Sequence, residues 1–400
     1  MSNIKRPIVL VTGIGRTVGI EIARKALDNG FEVIGIDSEL FFPYNLEEGD
    51  YADRLDALTL QYGHQQLNII NIPINENEFY GQGLKALLDS YKERDLQAIF
   101  LVDEQPYINY AELNSNVDFR HKVQNTNNLL LEIAEQGHEK VKVIMMSSYH
   151  VFGDAANGIP TSEYDERIEI AMQNTEEDRD KTKHLLGYTD IEGINNLMRP
   201  SSSKSIYAYH KTMQEELVSK FAWVYGSPTT IIRYSEVIEQ INELLFSETE
   251  YMPLINSAIL DAAQNAKIYS QYYDGKMLVD YIDAVDVAGS MYKVFEMEMH
   301  KEMIGANPDP NLCRTYVFGG GYENTKSYLE IVAMLSYKYK LNFVKDFSRE
   351  TYLYELALQP ILWFSDNTDF LRSYPYQLKK TASQSIFELF EHYSIKIKKA

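Results

Sequence analysis

Short apolar runs alternate with amphipathic stretches along most of the chain. Pro7-Ile-Val-Leu-Val-Thr12 reads as a buried strand, followed by the glycine-bearing turn Gly13-Ile-Gly15-Arg-Thr-Val-Gly19 and the helical pattern Ile20–Leu27. Asn29-Gly30 stops that helix, and Phe31–Asp37 reads as the next strand. The alternation then continues. Strands are expected at Asn68–Pro73, Gln97–Val102 and Val141–Met146, with helices at 79–93 and 119–136 between them. Strands alternating with helices imply a parallel sheet covered on both faces, so the fold class is α/β with a doubly wound sheet. A further helix opens at Ser205 and runs through Val218. After residue 235 the pattern weakens. Loops and short helices are expected over 240–278, a helix over Asp283–Met297, a strand with its turn over Thr315–Gly321, and a helix over 325–338. The tail from 341 carries no interpretable motif, and no internal repeat is evident.

Composition narrows the partners more than the fold. The 400 residues are 45% hydrophobic and 24% charged, with 38 Lys and Arg against 58 Asp and Glu, a net charge of −20. That balance repels phosphate backbones and anionic membranes, which argues against nucleic acid and membrane partners. The single cysteine, Cys313, excludes an intrachain disulfide and reads as filler rather than nucleophile. Ile8–Val11 is too short for a secretory h-region, and nothing approaches the ~20 apolar residues of a membrane span. A cytoplasmic location is the expectation. The histidines show no spacing suited to a metal, so none is expected.

Two stretches carry chemistry. The first is the strand, glycine turn, helix and strand ending in Asp37, the pattern of a dinucleotide-binding unit. Glycines there let backbone N–H groups approach a pyrophosphate at a helix N-terminus, while the acid bonds the adenosine ribose. Asp37 would repel a 2′-phosphate, which favours NAD over NADP. Candidate cofactor contacts are Gly13, Gly15, Arg16, Val18, Gly19 and Asp37. The second stretch is Ser205-Ile-Tyr-Ala-Tyr-His-Lys211, where four-residue spacing puts Tyr207 and Lys211 on one helix face. An adjacent ammonium favours phenolate over phenol and makes a tyrosine a usable acid/base. Spacing alone is weak here. Among 30 tyrosines it recurs at Tyr272/Lys276, Tyr322/Lys326 and Tyr376/Lys380.

The glycine turn, Ser147-Ser-Tyr-His-Val-Phe-Gly153, Tyr207/Lys211, Thr230-Ile-Ile-Arg-Tyr-Ser235 and Asp280-Tyr-Ile-Asp-Ala-Val-Asp-Val-Ala288 occur in the order typical of one family. Over residues 7 to about 330 the chain resembles the extended short-chain dehydrogenase/reductases, the NAD-dependent epimerase/dehydratase family. The resemblance implies bound NAD, a Rossmann domain over 1–236 to which a helix at about 283–297 returns, and a smaller substrate domain, mainly 237–400. It implies catalytic Ser148, Tyr207 and Lys211, the last two also contacting cofactor. It further implies homodimerisation through helices near 119–136 and 207–222.

The departures matter. The family's second turn glycine would fall at 16, where this chain has Arg16. Asp103 stands where the family has a small apolar residue near the nicotinamide ribose. Tyr149-His150 replaces the Asp-Glu pair of the 4,6-dehydratases, which argues against sugar dehydration. Val279 replaces an arginine that in relatives contacts a nucleotide-sugar phosphate. A largely acidic insertion of about 160–204 separates Gly153 from Tyr207. It reads as a solvated surface or as a lid that disfavours a doubly anionic substrate. Tyr149 and His150 are auxiliary candidates, each weighed against plain packing, whereas His210 is expected off the face of the catalytic pair. Three functions stay open: a nucleotide-sugar epimerase, a dehydrogenase or reductase of another hydroxylated or amino-substituted small molecule, and a non-catalytic NAD-binding regulator.

Overall fold

The computed structural model describes residues 6–37, 50–71, 85–86, 88–102, 108–156, 205–240, 254–265, 267–269, 278–305, 311–344 and 365–399. The acidic insertion and Asp103 lie outside these residues, as does the Tyr272/Lys276 pair. At its centre is a seven-stranded parallel sheet. In chain order its strands are β1 (Ile8–Thr12), β2 (Glu32–Asp37), β3 (Leu67–Asn71), β4 (Leu96–Leu101), β5 (Lys142–Ser148), β6 (Thr229–Tyr234) and β10 (Cys313–Phe318). They lie side by side as β10-β6-β5-β4-β1-β2-β3. The order reverses between β1 and β4, which puts the crevice of a doubly wound sheet at the C-terminal ends of those strands.

The strands form because their apolar runs are covered on both faces. Val9, Val11, Phe100 and Ile144 face one side, with helices α1 (Thr17–Asp28) and α8 (Ala284–Met303) over them. Ile8, Leu10, Ile99 and Val143 face the other, beneath α5 (Asn125–Glu135) and α6 (Ile206–Tyr225). Helix α8 starts where Asp283 Oδ1 accepts the Val285 N–H at 2.8 Å. Its Phe295 then meets Phe100 edge-on, with ring centroids 5.7 Å apart.

Beside the sheet, β7 (Glu236–Ile238), β9 (Leu278–Asp283) and β11 (Thr325–Ser327) form a three-stranded sheet, and β8 (Lys267–Tyr269) pairs with β12 (Asn342–Val344). A second apolar cluster gathers Ile255 and Ile259 of α7 (Leu254–Asn265), Ile331 and Leu335 of α9 (Tyr328–Tyr339), and Ile386 and Leu389 of α11 (Ala382–Lys399). The tail that carried no motif therefore ends in an amphipathic helix that covers this core. Helix α10 (Thr368–Ser373) precedes it.

Several boundaries differ from the pattern reading. Helix α2 (Asp50–Tyr62) is not predicted by periodicity: Leu55 and Leu58 are buried and Tyr62 packs against the core, while Leu60 between them is exposed. Of the helix expected over 79–93, the described residues are helical to 91. Strand β5 continues through Ser148, and α8 runs beyond Met297. The helix expected at 119–136 is three pieces: α4 (Ser115–Phe119), a π-helical turn (Arg120–Gln124) and α5, preceded by α3 (Ile108–Leu113).

Candidate active site

The first βα turn is shaped for close backbone approach. Gly13 takes φ +58°, and a Cβ on Gly19 would lie 2.1 Å from the Gly13 carbonyl oxygen. Only glycine fits that contact, so the N-terminus of α1 sits directly against the end of β1. Arg16 is the N-cap and makes no side-chain capping bond there. The leading N–H groups of α1 thus point at the crevice, an arrangement that favours an anionic group. Asp37 Oδ2 accepts the Gly15 N–H at 2.8 Å, which holds the acid at the rim of the turn. Val18 is buried in the core below, so its backbone alone is available to a ligand. These residues fit a dinucleotide. Arg16 does not block the turn, since its guanidinium leaves the glycine slot to pair with Glu239, a side chain only 4% exposed. Thr17 Oγ1 adds a 3.3 Å bond to the Gln240 carbonyl, so the turn is tied to the segment following β7.

The second set of residues meets where α6 crosses the end of β5. Ser205 caps α6 by accepting the Ala208 N–H at 3.3 Å, which fixes the first turn. Tyr207 and Lys211 follow on one buried face, 5% and 1% exposed. Lys211 Nζ donates to the Met146 carbonyl at 3.0 Å and to Gln214 Oε1 at 3.1 Å, which anchors the lysine to the strand that ends in Ser148. Below them, Glu215 accepts Ser147 Oγ at 2.6 Å, Arg233 Nε at 2.9 Å and Arg233 Nη2 at 2.6 Å. This buried fork cross-ties α6, β5 and β6. Ser147 is thereby committed to the network, while Ser148, on the alternate side of the strand, accepts the His150 N–H at 3.3 Å.

The turn after Ser148 supplies a further wall. The rings of Tyr149 and His150 are 4.0 Å apart, and His150 meets Tyr207 edge-on at 6.0 Å. Tyr149 donates its hydroxyl to Glu236 Oε2 at 3.2 Å, and His150 Nε2 stands 3.9 Å from the same oxygen. His150 is buried, and its Nε2 has no hydrogen-bond partner among the described residues. Desolvation pushes His150 down to about 3 and Glu236 up to about 7, the latter opposed by the Tyr149 hydroxyl. At neutral pH a proton therefore belongs on Glu236 more than on His150. Val279 is buried in the cluster that also holds Tyr149.

Three of these residues carry no signal in the sequence reading. Glu236 and Glu215 belong to no motif, and their roles depend on which strands become neighbours. The third, Lys122, stacks its Nζ 4.6 Å from the centre of the Tyr207 ring. His210 Nδ1 lies 2.8 Å from Asp118 Oδ2, and Asp118 pairs with Lys122. Of the other Tyr-x-x-x-Lys pairs, Tyr322 and Lys326 straddle a 3-10 turn and β11. Tyr376 precedes α11 and bonds Asp286 at 2.9 Å. Among the described pairs, helical stacking belongs to Tyr207/Lys211 alone. Cys313 opens β10, and burial pushes its thiol up, away from the nucleophilic thiolate. Among the described residues, no three metal-ligating side chains gather and no helix is long and apolar enough to cross a membrane.

Comparison with known proteins places this arrangement. No curated protein matches the sequence. Solved structures match along nearly the whole chain. UDP-glucuronic acid 4-epimerase from Bacillus cereus, in complex with UDP-glucuronic acid and NAD, is 15% identical, covers 97% of this chain and 99% of its own, and gives a TM-score of 0.66. The UDP-Glc/GlcNAc 4-epimerase of Campylobacter jejuni is 15% identical over 96% and 99%, also at 0.66. The dTDP-glucose 4,6-dehydratase of Bacillus anthracis, in complex with NAD, is 16% identical over 98% of each chain at 0.64. At such identities the likeness speaks for the fold. The sequence itself matches the model of the NAD dependent epimerase/dehydratase family over residues 9–177 and 188–304. The chain belongs to that family, as an NAD-dependent enzyme of the extended short-chain dehydrogenase/reductase type.

Proposed function

We propose that the enzyme is an epimerase that oxidises one hydroxyl of a sugar, with a nucleotide-sugar as the substrate class, and returns the hydride to the other face. The observation that carries this reading is the Tyr207/Lys211 pair on one buried face of α6, anchored through Met146 to the strand ending in Ser148. NAD, when bound, supplies a reversible hydride acceptor. Gly13, Gly15 and Gly19 would hold its pyrophosphate at the head of α1, with Asp37 on the adenosine ribose. Tyr207 takes the proton from the substrate hydroxyl and later gives it back. Lys211 favours the phenolate that makes this transfer possible, and Ser148 hydrogen-bonds the reacting oxygen. Positioned proton transfer of this kind contributes ~10²–10⁴ in rate. Tyr149 and His150 line the wall beside Tyr207, with Glu236 as their shared partner.

A second reading has its own support. Val279 offers no charge to a diphosphate, and Glu236 places an ionisable carboxyl on the same wall, which suits a neutral or amine-bearing substrate undergoing net oxidation or reduction. The test is to incubate purified protein and NAD with nucleotide-sugars and then amino-polyols, following substrate conversion and reduced nicotinamide together. Conversion without net reduced nicotinamide, lost in Tyr207→Phe, is expected. Stoichiometric build-up of reduced nicotinamide would replace epimerisation with net oxidation.

The assembly belongs to the same proposal. Leu131 on α5, with Tyr209, Trp223 and Val224 on α6, are large apolar or aromatic side chains left exposed on helices whose faces suit a homodimer. A soluble cytoplasmic dimer is the form we assign to the enzyme.

A further inference from the structure

The π-helical turn Arg120–Gln124 interrupts the helical layer and lies against the first turn of α6, where Lys122 meets the Tyr207 ring. Such turns place one extra residue into a helix and re-aim the side chains around it. Here the re-aimed side chain is Lys122, 1% exposed, with Nζ 4.6 Å from the centre of the Tyr207 ring. Its partner four residues earlier, Asp118, is fully buried and shares its other oxygen with His210 Nδ1 at 2.8 Å. Phe119 closes over His210, with ring centroids 5.5 Å apart.

A buried ammonium over an aromatic face attracts the neutral ring modestly, and attracts a phenolate far more because the ring then carries a full charge. Interactions that differ between the two protonation states move the equilibrium between them. We propose that Lys122 is a positioning residue that, together with Lys211, holds Tyr207 toward its ionised form, and that Asp118 sets how much of the Lys122 charge Tyr207 feels. The inference rests on the reading of Tyr207 as the proton-transfer group. Two ammonium groups then act on one tyrosine: Lys211 from one turn along its own helix and Lys122 from the π turn. Among the described residues, His150 on the turn after β5 also faces the Tyr207 ring, and Glu112 on α3 stands at the head of the same helix, where it accepts the Ile206 N–H. Glu236 stands behind His150.

A purely structural ion pair and a field-setting one differ in sign. If the pair only supports packing, Lys122→Met and Asp118→Asn disturb the site in the same direction. If it acts through charge, the two substitutions move Tyr207 oppositely. Lys122→Met removes the cation and should raise the pH at which Tyr207 ionises, by about one unit or more. Asp118→Asn leaves the cation with a neutral partner and should lower it. Lys122→Arg keeps the charge and should stay close to wild type.

The experiment is ionisation of Tyr207 followed by NMR of NAD-loaded enzyme carrying [13Cζ]tyrosine, with the resonance assigned by its loss in Tyr207→Phe. The pH profile of kcat is measured beside it. Opposite shifts for Lys122→Met and Asp118→Asn carry the proposal. Equal shifts, or none, overturn it, and the conservative Asp118→Asn and Lys122→Arg variants decide the matter even if Lys122→Met does not fold. Failure of the catalytic reading looks different: Tyr207→Phe would keep full conversion whatever the titrations give.

Discussion

Glu236 and His150 titrate against each other, and that opposition is measurable without any substrate. Glu236 has its ordinary value of 4.5 raised to about 7 by burial. A group raised in the folded state contributes stability that is fully present below 4.5 and lost as pH rises through about 7. His150 has its ordinary 6.5 lowered to about 3. A group lowered in the folded state contributes stability that is present above 6.5 and lost as pH falls toward 3. Between 4.5 and 6.5 the two slopes run in opposite directions, each about 1.4 kcal/mol per pH unit at full desolvation. The Glu236 side chain keeps 21% of its surface exposed, so its slope is the shallower one.

Glu236→Gln removes one arm and His150→Gln the other. Urea denaturation across that window should therefore find the wild type less pH-dependent than either variant. Relative to wild type, Glu236→Gln should lose stability as the pH falls, on the order of 1 kcal/mol per unit. His150→Gln should instead gain stability over the same descent. Other carboxylates titrate equally in all three proteins and cancel in the differences. The reasoning fails if both variants track the wild type in parallel. The charge assignment itself fails if the His150 ring resonances of the wild type report a protonated imidazole at pH 6.5, since that would mean an ion pair of charged His150 with ionised Glu236.

Four further outcomes follow from the geometry. Gly19→Ala puts a methyl 2.1 Å from the Gly13 carbonyl, so stability should fall by roughly 1–3 kcal/mol and NAD affinity at least tenfold; unchanged affinity in a binding titration would mean the turn is not the cofactor site. Glu215→Ala strands the Arg233 guanidinium in the interior and should cost about 3–5 kcal/mol in urea unfolding, whereas the double change Glu215→Leu/Arg233→Met should recover much of that. Lys211→Met should leave NAD-independent folding intact while reducing turnover by ~10² or more, checked by melting temperature and single-turnover rates. Trp223→Asp, placing a charge on the exposed face of α6, should shift the proposed dimer to monomer in sedimentation; an unshifted dimer would move the interface elsewhere.

Much of the central sheet was legible because buried parallel strands are continuous apolar runs. Ile8–Thr12, Leu96–Leu101 and Lys142–Ser148 are of this kind. Helix α2 escaped because its pattern is mixed, with Leu60 exposed between buried Leu55 and Leu58 and the core-packed Tyr62. The π turn escaped for a different reason. One extra residue in a helix leaves almost no trace in an apolar pattern, yet it decides which side chain reaches Tyr207. The candidate site divides in the same way. Tyr207 and Lys211 are local on one helix and could be paired from spacing. Glu215 with Arg233, and Tyr149 with Glu236, meet only because β5 and β6 are neighbours and β7 follows directly, which no local rule encodes.

Arg16 illustrates what a departure from a family pattern demands of the rest of the chain. Replacing a glycine by arginine at the head of a helix adds a cation where the helix N-terminus is already positive, which is unfavourable unless an anion answers it. Glu239 does so from the end of β7, with both side chains largely buried. Arg16→Gly then takes the Arg16 cation from the buried Glu239 carboxylate and should destabilise by about 3–5 kcal/mol, while the double change Arg16→Gly/Glu239→Ala should cost far less. The segment that answers Arg16 is also the one that presents Glu236 to Tyr149 and His150. The proposed cofactor turn and the proposed substrate wall are thus joined through one short stretch, residues 236–240. On that proposal, a change at Arg16 should move both. Measuring NAD affinity and substrate KM together in Glu239→Gln tests this coupling, and a change in one without the other would separate the two halves of the site.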